Sequence, residues 1–248
     1  AGLWEDAEKL YIDINTNYPG NSKYFTPLKN MLKQREEWGK IIYYSNLFVK
    51  AKPNNIQAQI DLAEVYIWAD SINISMEIFN NILDSESVNI NLAKLIINKL
   101  AHNALFNHAD SLVNIIRSTT KKTDYYALEM GRYYSNRMVY DLALDEYILY
   151  LEHNPERMEF VSSKIVGFPE DPTINNLIIS KLKKSSSKYS KIVLSNYLFK
   201  NKEYDKAYKN LNDKSIDIHY VFDFATDLIM ENQIILAENI LMDLLNNE

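Results

Sequence analysis

Four histidines, His102, His108, His153 and His219, are the only imidazoles this chain offers for acid–base or metal chemistry. No two of them stand four apart, the helical spacing that would turn a pair toward one ion. His102 and His108 are six apart and fall on different predicted helices across a turn, where solvation or capping accounts for them. Paired carboxylates recur at Glu36 with Glu37 and at Asp141 with Asp145. Their predicted places are turns and helix surfaces, where solvation and helix-start charge explain them. Five glycines leave no room for a phosphate-cradling loop, and no nucleophile-elbow spacing is present. Cysteine is absent, which excludes disulfides and thiolate metal sites. No catalytic, cofactor-binding or metal-binding residue is assigned, no cofactor is expected, and the chain is predicted not to be an enzyme.

The 248 residues are 47% hydrophobic and 24% charged, enough apolar material for a buried core. No apolar run approaches the ~20 residues needed to cross a bilayer. The most apolar stretch, Ile234 to Leu245, is interrupted by Glu238, Asn239 and Asp243. A formal charge of −6 argues against a nucleic-acid binder held by phosphate contacts.

The elements that would position any binding residue are set by one spacing. Trp4, Trp38, Ile72, Phe106 and Tyr140 follow one another at 34 residues, too long for a helix or strand period and therefore the length of a repeated unit. A second column, Ala7, Ile41, Ser75, Ala109 and Ala143, is mostly small, as expected where two helices approach closely. Residues four and seven further on are apolar in most units, which places them on one helical stripe. A preceding helix carries i, i+4 pairs at Leu28/Leu32, Leu62/Tyr66, Ile96/Leu100 and Met130/Tyr134, with Ala63 and Gly131 between the members of two of them. Pro19, Pro53 and Pro155 stand where the second helix must stop.

Leu62-Ala63, Tyr66, Ser75, Phe79 and Ile82 together resemble the tetratricopeptide repeat. The unit from Asp124 to Arg157 resembles it most, with Met130-Gly131, Tyr134, Tyr140, Ala143, Tyr147, Tyr150 and Pro155 in the family's order. The resemblance implies an all-α, right-handed superhelical solenoid of stacked antiparallel helix pairs around a concave groove. It covers nearly all of residues 1–248 as a single array: a half repeat over 1–20, four regular repeats over 21–157, a degenerate repeat over 158–187 and two shortened repeats over 188–248. One leading helix near residues 3–17 and seven helix pairs are expected. The register fails after Pro155, where Gly167 to Pro172 is the strongest breaker in the chain and Asp171 or Thr173 could cap the helix that follows. Because the chain starts at Ala1, halfway through a repeat, a segment of something longer is expected.

By that resemblance, ligand-facing positions are the second, fifth, ninth and twelfth residues of each first helix. They fall on Lys23, Thr26, Asn30 and Lys33, then Gln57, Ile60, Glu64 and Ile67. The next two units give Asn91, Lys94, Asn98 and Ala101, then Tyr125, Leu128, Arg132 and Ser135. Partner binding is assigned to Lys23, Asn30, Lys33, Gln57, Glu64, Lys94, Asn98, Tyr125 and Arg132. One subclass of the family grips the C-terminal carboxylate of chaperones. Lys94 and Asn98 match its first Lys-x-x-x-Asn pair, but Glu129, Glu159 and Ser163 replace the residues needed next, so chaperone docking is not expected. The basic run of Lys181, Lys183, Lys184 and Lys188 around Ser185 to Ser187 reads as a solvated loop tip.

The expected function is a non-catalytic scaffold that holds a partner peptide or protein along its groove, within a bacterial periplasmic or cell-envelope assembly. The apolar C-terminal helix is a place for homo-oligomer contact. The alternatives are the superhelical portion of a larger enzyme, such as a cell-wall lyase, or an RNA-reading helical array, whose basic groove this net charge opposes. Lys23, Lys33, Lys94 and Arg132 outnumber Glu64 on the lining and favour an acidic peptide. Charge reversal at Lys94 and Arg132 is expected to abolish recovery of such a partner in a pull-down; unchanged recovery removes the reading.

Overall fold

The structure is a computed structural model that describes residues 2–85 and 89–246; the Ala1 start on which the sequence reading leaned lies outside them. Among the described residues there are fifteen α-helices, one 3₁₀ turn at Pro155–Arg157 and no strand. The all-α expectation holds, and a leading helix is followed by fourteen more; six of the seven expected pairs form, while α10 and α11 do not pair with each other. The chain divides into two compact units, residues 1–122 and 123–248. In the first unit the helices are α1 Gly2–Asn17, α2 Ser22–Gln34, α3 Trp38–Ala51, α4 Ile56–Trp68, α5 Ile72–Ser85, α6 Ile90–His102 and α7 Phe106–Thr120. In the second they are α8 Ala127–Asn136, α9 Tyr140–His153, α10 Met158–Val166, α11 Pro172–Lys184, α12 Lys188–Lys200, α13 Tyr204–Leu211, α14 Ile218–Met230 and α15 Ile234–Asn246.

One backbone device makes six of the pairs. Each first helix ends on a residue with positive φ: Glu36, Asp70, Ala104 and Met138 at the 34-residue spacing, then Lys202 and Asn232. The next N–H returns to a carbonyl in the last turn, as Glu37 N–H does to Leu32 O at 3.0 Å and Val139 N–H to Tyr134 O at 2.9 Å. This closure satisfies carbonyls the helix would otherwise leave open, and it reverses the chain within three residues. None of the six residues is glycine, although the left-handed region costs other residues about 1 kcal/mol. The residue that donates the closing bond then opens the second helix, its own carbonyl accepting from the small-residue column: Ala109 N–H to Leu105 O at 3.0 Å, Ala143 N–H to Val139 O at 3.1 Å.

That column is the tight point of each pair. Ile41, Ser75, Ala109, Ala143 and Ala207 are wholly buried and Ala237 is nearly so. The apolar pairs of the first helices lie beside it, with Leu28, Leu32, Ile96, Leu100 and Met130 also fully buried. Gly131 is small for a reason: an added Cβ would stand 2.7 Å from the Tyr147 ring, which is itself buried. Asn21, Asn55 and Asn89 form a third 34-residue column, each accepting backbone N–H bonds at the start of a first helix; Ser187 and Asp217 do the same for α12 and α14. In the first unit Phe25 stacks on Phe48 at 4.7 Å inside a cluster that joins α2, α3 and α4.

The region after Pro155 departs from this scheme, as its broken register predicts. Gly167 keeps a negative φ, and a five-residue loop separates α10 from α11. Phe168 of that loop is buried against Tyr140 and Tyr147 of α9. The helices α10 and α11 each pack on α12 and α9 rather than principally on one another. Asp171 caps α11, accepting from Thr173 N–H at 2.8 Å and Ile174 N–H at 3.2 Å. The basic run needs correcting. Lys181, Lys183 and Lys184 form the last turn of α11, where cations suit the helix C-terminus, and only Ser185 to Ser187 is loop.

Opposite outcomes are expected at two small-residue sites. Ser75→Ala removes a buried hydroxyl that has no hydrogen-bond partner and should stabilise by about 1 kcal/mol. Gly131→Ala forces a methyl into the Tyr147 ring and should destabilise by about 1–2 kcal/mol, despite alanine's better helix propensity. Urea unfolding followed by circular dichroism measures both.

Candidate functional site

In the first unit the sequence-assigned residues stand on three first helices, but a polar network engages several of them. The Lys33 ammonium lies 3.5 Å from the centroid of the Trp68 ring. The Trp68 indole N–H donates to Asn103 Oδ1 at 3.0 Å, and the Asn103 amide donates to Glu64 at 3.2 Å. Glu64 is buried and accepts from Lys99 Nζ at 2.6 Å; Lys99 also lies 3.4 Å from Asp61, itself bonded by Gln57 at 2.9 Å. Burial favours the neutral amine at Lys99, yet the bond and charge of Glu64, then of Asp61, outweigh it and raise the pKa above its usual value. Glu64 and Lys33 therefore tie α4 to its neighbours α6 and α2. Lys23 and Lys94 are exposed, and Asn98 is half-buried. Asn30 borders a separate apolar hollow of about 420 Å³ with Trp4, Tyr11 and Met31.

Tyr125 and Arg132 belong to the second unit. Burial, then the charge of Glu129, raises the Tyr125 phenol pKa, and its ring tilts against Tyr126 at 5.8 Å. Arg132 is exposed on α8. Asp141 and Asp145, the carboxylate pair noticed in sequence, both hold Lys181, at 2.7 and 2.5 Å. His153 bonds Thr123 at 2.7 Å and the Leu149 carbonyl at 3.0 Å.

Another concavity lies in the second unit. A cleft of about 680 Å³ runs across α10, α12 and α14, lined by Glu159, Asn196, Phe199, His219, Tyr220, Asp223, Phe224, Thr226 and Asp227 among others. Asn196 is fixed by a 3.1 Å bond to Ser162, and Phe199 meets Phe224 edge-on at 5.4 Å. His219 pairs with Asp217 at 2.8 Å and lies over the Tyr220 ring at 3.9 Å. Burial, then the like charge of Asp223, raises the Asp227 carboxyl pKa above the ordinary value. Burial also raises the Tyr220 phenol, helped by Tyr189 and by the carboxylates of Glu159, Asp217 and Asp223. Burial dominates both shifts, and neighbouring carboxylates add to each in the same direction.

Sequence reasoning did not single out this cleft, although its signal was within reach. Asn196 and Phe199 are the ninth and twelfth residues of α12, and His219 and Thr226 the second and ninth of α14. The assignment stopped where the 34-residue register failed. Beside the cleft, α14 and α15 carry an apolar hollow of about 500 Å³ lined by Ile218, Phe222, Leu241, Leu244 and Leu245. Among the described residues no group of three or more His, Cys, Asp or Glu side chains is placed to hold a metal ion. No described helix is long and apolar enough to cross a membrane. Compared with known protein families and with curated proteins, the chain matches none.

Asp217 gives the site a pH signature. The side-chain bond with His219, then the His219 backbone N–H, lowers its pKa below the ordinary 3.8. A lowered folded-state pKa supplies stability above the unfolded value, and that stability is lost as pH falls through the folded one. Asparagine keeps the capping oxygen but not the charge. Wild type should therefore exceed Asp217→Asn in urea resistance at pH 5, with the gap closing below pH 3.8.

Proposed function

We propose that the chain is a non-catalytic scaffold of the tetratricopeptide type, which holds a segment of a partner protein against the exposed faces of its first helices. The cleft over α10, α12 and α14 carries the reading. Polar and aromatic side chains of α10, α12 and α14 line one open concavity there, with Leu211 of α13 also in its lining. A fixed amide at Asn196 beside the Phe199 ring suits an extended backbone, which needs one hydrogen-bonding partner and one flat apolar surface. The recurring turn, the small-residue column and the asparagine caps support the family, and with it the superhelical groove.

Selection of a displayed random peptide library on the full chain tests this. Enriched peptides should lose binding to Asn196→Arg and Thr226→Arg variants and keep it on Lys209→Glu, which alters α13 instead. A library that yields no binder, or binders indifferent to both cleft substitutions, overturns the proposal.

A further inference from the structure

We propose that the cleft across α10, α12 and α14 selects partner segments that carry lysine or arginine. This rests on the scaffold reading and adds the chemistry of the occupant. The three helices contain only three carboxylates, Glu159, Asp223 and Asp227, and all three line this one cleft. Among the described residues none of the three makes an ion pair or a side-chain hydrogen bond.

Each lysine on the same helices is engaged outside the lining. Lys164 lies over Phe160 at 5.0 Å, and Lys188 over Tyr189 at 5.2 Å. Lys191 is bonded to Asp213, and Lys200 to the Val166 carbonyl and Glu170. His219 is held by Asp217. The lysines of these helices thus stand outside the lining, while the three carboxylates line it together with His219, whose ring is paired with Asp217.

The arrangement leaves three carboxylates lining one cleft with no lysine or arginine in the lining. A bound divalent metal is not what would relieve it, because the carboxylates are not grouped closely enough to share an ion. A long cationic side chain is suited to it. Its methylenes would lie on the Phe199 and Phe224 rings, and its head would reach the carboxylates in turn. A guanidinium adds planar, two-pronged hydrogen bonding to a carboxylate, so arginine fits better than lysine. The occupant is opposite in charge to the acidic peptide that the sequence favoured for the lysines of the first unit.

Fluorescence anisotropy with three labelled synthetic dodecapeptides tests the inference. Each repeats Gly-Ser-Xaa, with Arg, Gln or Glu at Xaa. The full chain should bind the Arg peptide, and raising NaCl to ~0.5 M should weaken binding. A Glu159→Gln, Asp223→Asn, Asp227→Asn variant should lose about 10-fold or more in affinity, which corresponds to about 1.4 kcal/mol. A control neutralised at the exposed Glu5, Glu77 and Asp84 has the same net charge and should bind as wild type. Equal loss in the control, no loss in the cleft variant, or equal affinity for the Gln peptide overturns the inference. Displayed peptides that bind the cleft without enrichment in Lys or Arg would also overturn it while leaving the scaffold standing; a library without binders would remove the scaffold itself.

Discussion

A first helix of this protein can reverse direction only if its last turn closes on itself. The closing bond, from the N–H that opens the second helix to a carbonyl such as Leu32 O or Tyr134 O, requires the residue before it to take a left-handed conformation. The reversed chain then brings the second helix against the first within one turn, and the residue at that point must be small or wholly buried. Ser75, Ala109, Ala143, Ala207 and Ala237 meet that condition with short side chains. Ile41 meets it with a larger one, sealed inside the cluster around Phe25 and Phe48. Burial of the neighbouring stripe, from Leu28 to Leu228, offsets the strain of six left-handed residues that lack glycine's freedom.

Much of this was legible because it is periodic. Positions such as Ala109 and Ala143 stand at fixed spacing, so the columns, the helix count and the all-α class follow from residue type alone. The cap at Asp171 was legible for a local reason, since its carboxylate bonds N–H groups two and three residues away. The network from Lys33 through Trp68 and Asn103 to Glu64 was not. Its partners stand 35 and 39 residues apart and owe their meeting to the packing of neighbouring helices. Phe168 likewise reads as part of a breaker in sequence, yet it fills the space beneath Tyr140 that a regular turn would have closed differently. The packing of α10 and α11 on α12 and α9 follows from that buried ring and could not be taken from the period.

The polar residues of the first helices divide into two kinds once their partners are known. In the first unit, Glu64, Lys99, Asp61 and Asn103 are structural: each satisfies another, and the buried carboxylate would be costly alone. In the second unit, Glu159, Asp223 and Asp227 have no such counterparts. The same residue types on the same helical face thus serve cohesion in one case and leave a field facing outward in the other. Charge counted along a sequence cannot separate these cases, because the distinction lies in where the opposite charges go.

Five of the units share one fixed interval in their first half and differ in their second. In the five pairs whose first helix has a side-chain cap, the interval from cap to small residue is twenty positions: Asn21 to Ile41, Asn55 to Ser75, Asn89 to Ala109, Ser187 to Ala207, Asp217 to Ala237. Beyond the small residue, length drifts: α9 has fourteen residues and α13 eight, followed by a six-residue connector over 212–217. In these five units the differences in length therefore fall after the small residue. The distance between neighbouring pairs and the chemistry each pair displays are separable traits in this chain, free to diverge one without the other.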